Sequence, residues 1–133
     1  LEKRPYNFES LLISNNGTKY MSIEKTLTAY TQERLNCAQS VFRGFQDQVG
    51  ITQDMIDEAR AFGGGRAYEG RCGALYAAME MIPSPDVKAL MINTFISQAG
   101  SDKCREIKKI GKFKCIDCVR LAAEELTKIF NQK

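Results

Sequence analysis

The feature that most limits the fold is the recurrence of apolar residues at three- and four-residue spacing, in short runs each ended by glycine or proline. Gly50, the Gly63-Gly64-Gly65 run, Pro83, Pro85, Gly100 and Gly111 divide the chain into segments of helix length. Nowhere does the two-residue alternation of a half-buried strand persist. Leu35, Ala38, Val41, Phe42, Phe45 and Val49 form one apolar face. Ile116, Val119, Ala122, Ala123, Leu126 and Phe130 form another. The expectation is an all-α domain, a compact helical bundle of about five to seven helices with short connections.

Local signals set the boundaries. Met21 opens the patterned region, so residues 1–20 read as an N-terminal extension or arm and residues 21–133 as a single all-helical domain. Ser22 is expected to cap the first helix, Thr52 a later one, and Ser84 or Pro85 to open the helix that turns Val87, Leu90, Met91, Thr94 and Phe95 inward. Asn36 with Gln39 has the pattern of a capping box, which starts a helix at Cys37. The competing expectation is one continuous helix from Ser22 to Val49, with Cys37 a small core residue. A helix from near Arg71 carries Cys72 and ends before Pro83. Ser101 caps a short helix holding Cys104, and the last helix runs from Cys115 to Phe130.

Chemistry concentrates in five cysteines, Cys37, Cys72, Cys104, Cys115 and Cys118, in a chain that contains no histidine. Each falls where a helix can begin, and a helix N-terminus favours the thiolate, the form that acts as nucleophile or metal ligand. The missing histidines remove Ser-His and Cys-His dyads, His-ligated zinc and c-type haem attachment. Cys115-Ile116-Asp117-Cys118 is the one close pair, suited to disulfide exchange or to two ligands of zinc or an iron–sulfur cluster. Spacings of 35, 32, 11 and 3 along the chain match no zinc finger, so any centre is assembled by tertiary structure. Glycines flank Cys72 on both sides, at Gly70 with Arg71 between and at Gly73, which lets backbone approach closely while Arg71 adds positive charge. Lys103 to Lys114 holds six basic residues in twelve, a field expected to lower neighbouring thiol pKa values and otherwise a solvated face.

The chain has 133 residues, 44% hydrophobic and 26% charged, with a formal charge of +3, values ordinary for one globular domain. That charge is too mild to indicate nucleic acid, and no apolar run reaches the ~20 residues of a membrane-spanning helix. An odd cysteine count does not suit a secreted disulfide framework, so a reducing cytoplasm is the expected compartment.

These residues together resemble the C_GCAxxG_C_C family of small redox-active proteins. The matching pieces are Asn36-Cys37-Ala38-Gln39, Phe62-Gly63-Gly64-Gly65, Cys72-Gly73-Ala74, Cys104-Arg105-Glu106 and Cys115 with Val119, spread over residues 21–133. Ala77 stands where the family element has its last glycine, and Cys118 is a fifth thiol beside the fourth signature position. The resemblance implies a redox or cluster-binding role with a redox partner the sequence does not identify, and leaves homo-oligomerisation open. On this reading Cys37, Cys72, Cys104 and Cys115 converge, either as ligands of an iron–sulfur cluster or other thiolate-bound metal, or as a dithiol/disulfide centre. Cys118 serves as alternate ligand or resolving thiol, and Gly64, Gly65 and Gly73 give close backbone approach to the site. Haem is not expected. The alternatives are a non-catalytic helical interaction module with structural metal or buried cysteines, and nucleic-acid binding through Lys103 to Lys114.

Overall fold

The computed structural model describes residues 16–131, with side chains from Met21 onward. Eight α-helices follow one another among these residues: α1 (Asn16–Thr31), α2 (Cys37–Gly44), α3 (Gln46–Val49), α4 (Gln53–Glu58), α5 (Gly73–Glu80), α6 (Pro85–Ala99), α7 (Cys104–Ile110) and α8 (Cys115–Phe130). Single 3-10 turns, Ala59–Phe62 and Tyr68–Gly70, flank the glycine run. The described residues contain no strand, only an isolated antiparallel bridge between Arg71 and Lys103. The all-α expectation holds.

The helix count exceeds the expected five to seven partly because the run from Cys37 to Val49 breaks at Phe45. Phe45 leaves helical geometry (φ −108°, ψ 12°). Its ring is wholly buried and meets Phe130 edge-on at 5.8 Å, a contact that favours the break over a continued helix. Gly50, Gly100 and Gly111 end α3, α6 and α7 in the left-handed conformation that glycine adopts without strain. Thr52 caps α4 and Ser84 caps α6 as expected, their side-chain oxygens accepting from Met55 and Val87 N–H.

Three boundaries differ from the sequence expectation. Helix α1 begins at Asn16, not at Ser22, so residues 16–20 of the extension expected over residues 1–20 belong to it; the rest of that extension, residues 1–15, lies outside the described residues. Ser22 is buried and donates 2.7 Å to Gln48 Oε1, a tertiary bond rather than a cap. Cys72 itself stands just outside α5, which starts at Gly73. Ser101 lies upstream of α7, where Lys103 is the cap residue; its hydroxyl accepts from Lys103 N–H at 3.0 Å and donates to Glu106 at 2.6 Å. Within α6, Met91 and Phe95 are buried, but Leu90 is 65% exposed because it falls on the outer side of the helix.

The core is built around α5, whose Ala74, Leu75, Ala77 and Ala78 are wholly buried between α2 and α8. Small side chains let the three helices approach closely, and Ala77 retains that property where the family element has glycine. α1 lies across α2 and α8. At its crossing with α2, a Cβ on Gly44 would collide with the Thr26 side chain and reach 2.8 Å from Ser22 O, so only glycine fits. No described helix is long and apolar enough to cross a membrane.

Candidate functional site

Four cysteines stand at helix starts. Cys37, Cys104 and Cys115 are the first residues of α2, α7 and α8, and Cys72 immediately precedes α5. The capping box at Asn36 is formed in both directions: Asn36 Oδ1 accepts from Gln39 N–H at 2.8 Å, and Gln39 Oε1 accepts from Asn36 N–H at 3.1 Å. Of the two expectations for Cys37, a separate helix is therefore the one formed, although Cys37 is also buried. Asn36 Nδ2 donates to Arg60 O at 2.9 Å, which ties the start of α2 to the segment that leads into the glycine run.

A second clamp brings Cys72 to α7. Cys72 N–H donates to Asp102 O at 2.8 Å, and the Arg71 guanidinium pairs with the Asp102 carboxylate at 3.4 Å. Arg71 also donates to Met79 Sδ. Its charge is spent on these contacts rather than on the thiol, contrary to the expectation that it would favour a Cys72 thiolate. At α8, Asp117 Oδ2 accepts from Lys114 N–H at 2.9 Å and fixes the turn that presents Cys115.

The result is one small cavity, of about 20 Å3, lined by all five cysteines together with Gly73, Ile107, Lys108 and Phe113. Cys37, Cys72 and Cys118 are buried, while Cys104 and Cys115 are partly exposed. All five are free thiols. Four of them couple electrostatically in two pairs, Cys37 with Cys115 and Cys72 with Cys118, and Cys104 belongs to neither pair.

The two pairs differ electrostatically. The Cys115 hydrogen bond holds the Cys37 thiol down at about 6, assisted by backbone N–H groups of Gly64, Ala38 and Ala74 and opposed by burial. Three separate segments (the glycine run, α2 and α5) thus point donors at one sulfur. Cys115, giving its proton to that bond and partly buried, is pushed far above the ordinary thiol range; Tyr30 works against this by hydrogen-bonding to it. Cys72 is also raised, first by its bond to Cys118 and then by burial. Cys104 is raised by burial, which outweighs the nearby Lys108. The basic segment therefore works to lower the thiol it carries without bringing it below its ordinary range. Arg105, Lys108, Lys109, Lys112 and Lys114 are exposed, and they form a solvated face.

Each site glycine has a definite place. Gly64 (φ +63°) gives its N–H to Cys37. A Cβ on Gly65 would stand 3.3 Å from Cys104 Cβ. On Gly73 it would meet both Cys37 Sγ and Phe62 O at 2.6 Å. The element after Cys72 starts with glycine because a neighbouring sulfur occupies the space of its side chain.

Tyr30 was not singled out by the sequence. It sits on α1, is half-buried, and is raised by burial and by its hydrogen bond to Cys115. The available signal was modest, a tyrosine at an apolar helical position whose hydroxyl needs a partner once buried. Ile107, Lys108 and Phe113 were likewise unmarked as lining residues.

For a metal, the five thiols supply suitable donors; among the described residues, no three His, Cys, Asp or Glu side chains are grouped as a ready ion site.

The fold and site define a class, an all-α thiol protein whose cysteines gather at helix starts around one small cavity. The chain belongs to the C_GCAxxG_C_C family, described as "Putative redox-active protein", whose model matches residues 35–129. Comparison with curated proteins and with solved structures found no match.

Proposed function

We propose that the protein performs two-electron thiol–disulfide redox chemistry, with Cys37 as the attacking thiolate and Cys115 as the thiol that closes the disulfide on it. The observation that carries this reading is that Cys37 and Cys115, at the starts of α2 and α8, line one cavity, where Cys115 and the amides of Gly64, Ala38 and Ala74 hold the Cys37 thiol low. A thiolate so held is the nucleophile of disulfide and peroxide chemistry, and the thiol already bonded to it is placed to resolve the first adduct. Oxidation joins the Cys37 thiolate to the Cys115 sulfur and releases the Cys115 proton, the electron pair passing to the oxidant. An external thiol returns the pair to the reduced state.

Membership of a redox-active family supports the general chemistry without choosing the electron acceptor. A second reading, thiolate ligation of iron–sulfur or another metal, is favoured by the fact that all five cysteines line one cavity. A single preparation separates the two. Protein purified without oxygen is examined for visible absorption, for iron, zinc and sulfide, and for thiol content before and after mild oxidation. Colourless, metal-free protein that loses two thiols as a Cys37–Cys115 disulfide, and regains them with dithiothreitol, supports the dithiol centre. Stoichiometric iron and sulfide, lost in Cys72→Ser, would replace it with a cluster.

A further inference from the structure

We propose that the oxidant taken by this thiol pair is a small hydroperoxide, hydrogen peroxide or one close to it in size, admitted to a cavity that bars bulky disulfides. The inference rests on the dithiol reading and adds the substrate class. Its basis is the space around the nucleophile. Cys37 is only 5% exposed and opens onto a cavity of about 20 Å3. That is more than the roughly 10–15 Å3 that one water requires, and far short of the space a dialkyl or aryl disulfide requires. The walls that are not cysteine or glycine are Ile107, Phe113 and Lys108, so the cavity is apolar with one flexible cation on its lining.

A disulfide must place two sulfurs and their substituents in line with the attacking thiolate, which this space does not allow. A hydroperoxide needs room for two oxygens. The Cys37 thiolate attacks one of them, the S–O bond forms and the O–O bond breaks. The departing hydroxide takes the Cys115 thiol proton and leaves as water. The Cys115 thiolate then attacks the Cys37 sulfenic sulfur, the S–S bond forms, and the second hydroxide leaves as water with a proton from solvent. For hydrogen peroxide the sum is one peroxide, one thiolate, one thiol and one solvent proton converted to one disulfide and two waters; from an organic hydroperoxide the first leaving group is the alkoxide, which leaves as the alcohol. Tyr30, hydrogen-bonded to Cys115, stabilises the thiolate required in the second step.

The experiment compares hydrogen peroxide with the aromatic disulfide 5,5′-dithiobis(2-nitrobenzoic acid) on the full chain, following Cys37 by alkylation and peptide mass. Each rate is divided by the rate of free cysteine thiolate with the same reagent. Peroxide is expected to react at least as fast as with free cysteine, while the disulfide is slowed roughly a hundredfold or more by exclusion. Phe113→Ala should raise the disulfide rate at Cys37 by roughly tenfold, and the peroxide rate by less, as the wall is opened. Lys108→Ala, at an exposed position, makes the same comparison should Phe113→Ala fail to fold. In Cys115→Ala, peroxide should leave a Cys37 sulfenic acid that dimedone traps. Equal slowing of both reagents, or no slowing of the disulfide, overturns the small-hydroperoxide assignment while the Cys37–Cys115 disulfide still forms. Absence of that disulfide with either reagent overturns the dithiol reading itself.

Discussion

At the scale of single residues, the site turns on which sulfur holds the proton between Cys37 and Cys115. Both are thiols at helix starts, so dipole and position alone would treat them alike. The difference lies in the donors: Cys37 faces the N–H groups of Gly64, Ala38 and Ala74, whereas Cys115 faces Tyr30 alone. Acid groups held below their ordinary pKa ionise earlier as pH rises. The ultraviolet absorbance of the Cys37 thiolate should therefore climb through pH about 6 and level off well before the ordinary thiol range. Cys115→Ala removes the largest stabilising bond, and a hydrogen bond to a charged group is worth ~1.5–3 kcal/mol, so the midpoint should rise by about one to two pH units. Cys115→Ser keeps a donor and should shift it less. Equal shifts in the two variants would show that Cys115 acts by volume and not by its proton.

At the scale of elements, the same glycines that punctuate the helices also admit the chemistry. Gly64 and Gly73 are separable in this respect. Alanine at Gly64 meets no atom within 4 Å, and its cost is the left-handed backbone alone, about 1–2 kcal/mol. Alanine at Gly73 must push aside Cys37 Sγ and the Phe62 carbonyl, each 2.6 Å away. Since the second obstacle is backbone, the start of α5 has to move, at roughly 1–3 kcal/mol for an overpacked core site. The prediction for Gly73→Ala is a melting temperature lowered by several degrees and a Cys37 titration midpoint raised, because Ala74 N–H is carried away from the sulfur. Gly64→Ala should leave the contacts between α2 and α5 in place. A Gly73→Ala protein with wild-type Cys37 titration would mean that the α5 amide contributes nothing to the thiolate.

The helices were legible in the sequence to the extent that their ends are chemical. Asn36 with Gln39, Thr52, Ser84, Gly50, Gly100 and Gly111 act through local hydrogen bonds and backbone preferences that a linear chain displays. The sequence placed each cysteine at a helix start, but their gathering on one cavity is tertiary and entered the reading only through the family resemblance. Ser22 was misleading because its hydroxyl bonds to Gln48, 26 positions away. The pairing of Cys72 with Cys118 rather than with its own helix neighbours is likewise tertiary. So is the use of Arg71 as a clamp on Asp102, where a charge next to a thiol in sequence is aimed at a different partner in space.

At the scale of the whole molecule, α1 joins the site to a distant helix crossing. The family match begins at residue 35, so α1 lies outside it, yet α1 delivers Tyr30 to Cys115. Its seat is the crossing with α2, where Gly44 leaves no room for a Cβ and Thr26 Oγ1 is buried without a hydrogen-bond partner. Since the obstacles to a Cβ there include Ser22 O and Thr26 Cα, Gly44→Ala cannot be absorbed by a side-chain rotation and must tilt or lift α1. Burial is the main cause that holds the Tyr30 hydroxyl above its ordinary ionisation, and the Cys115 bond is the next. Lifting α1 weakens both, so the Tyr30 transition, followed by NMR of ring-labelled tyrosine, should fall back toward the ordinary tyrosine range. Closure of the Cys37–Cys115 disulfide should slow in Gly44→Ala and in Tyr30→Phe alike, while the first attack by Cys37 changes less. If Gly44→Ala lowers the melting temperature yet leaves Tyr30 and the closure step untouched, the strain is relieved at the crossing itself and α1 does not couple it to the thiols.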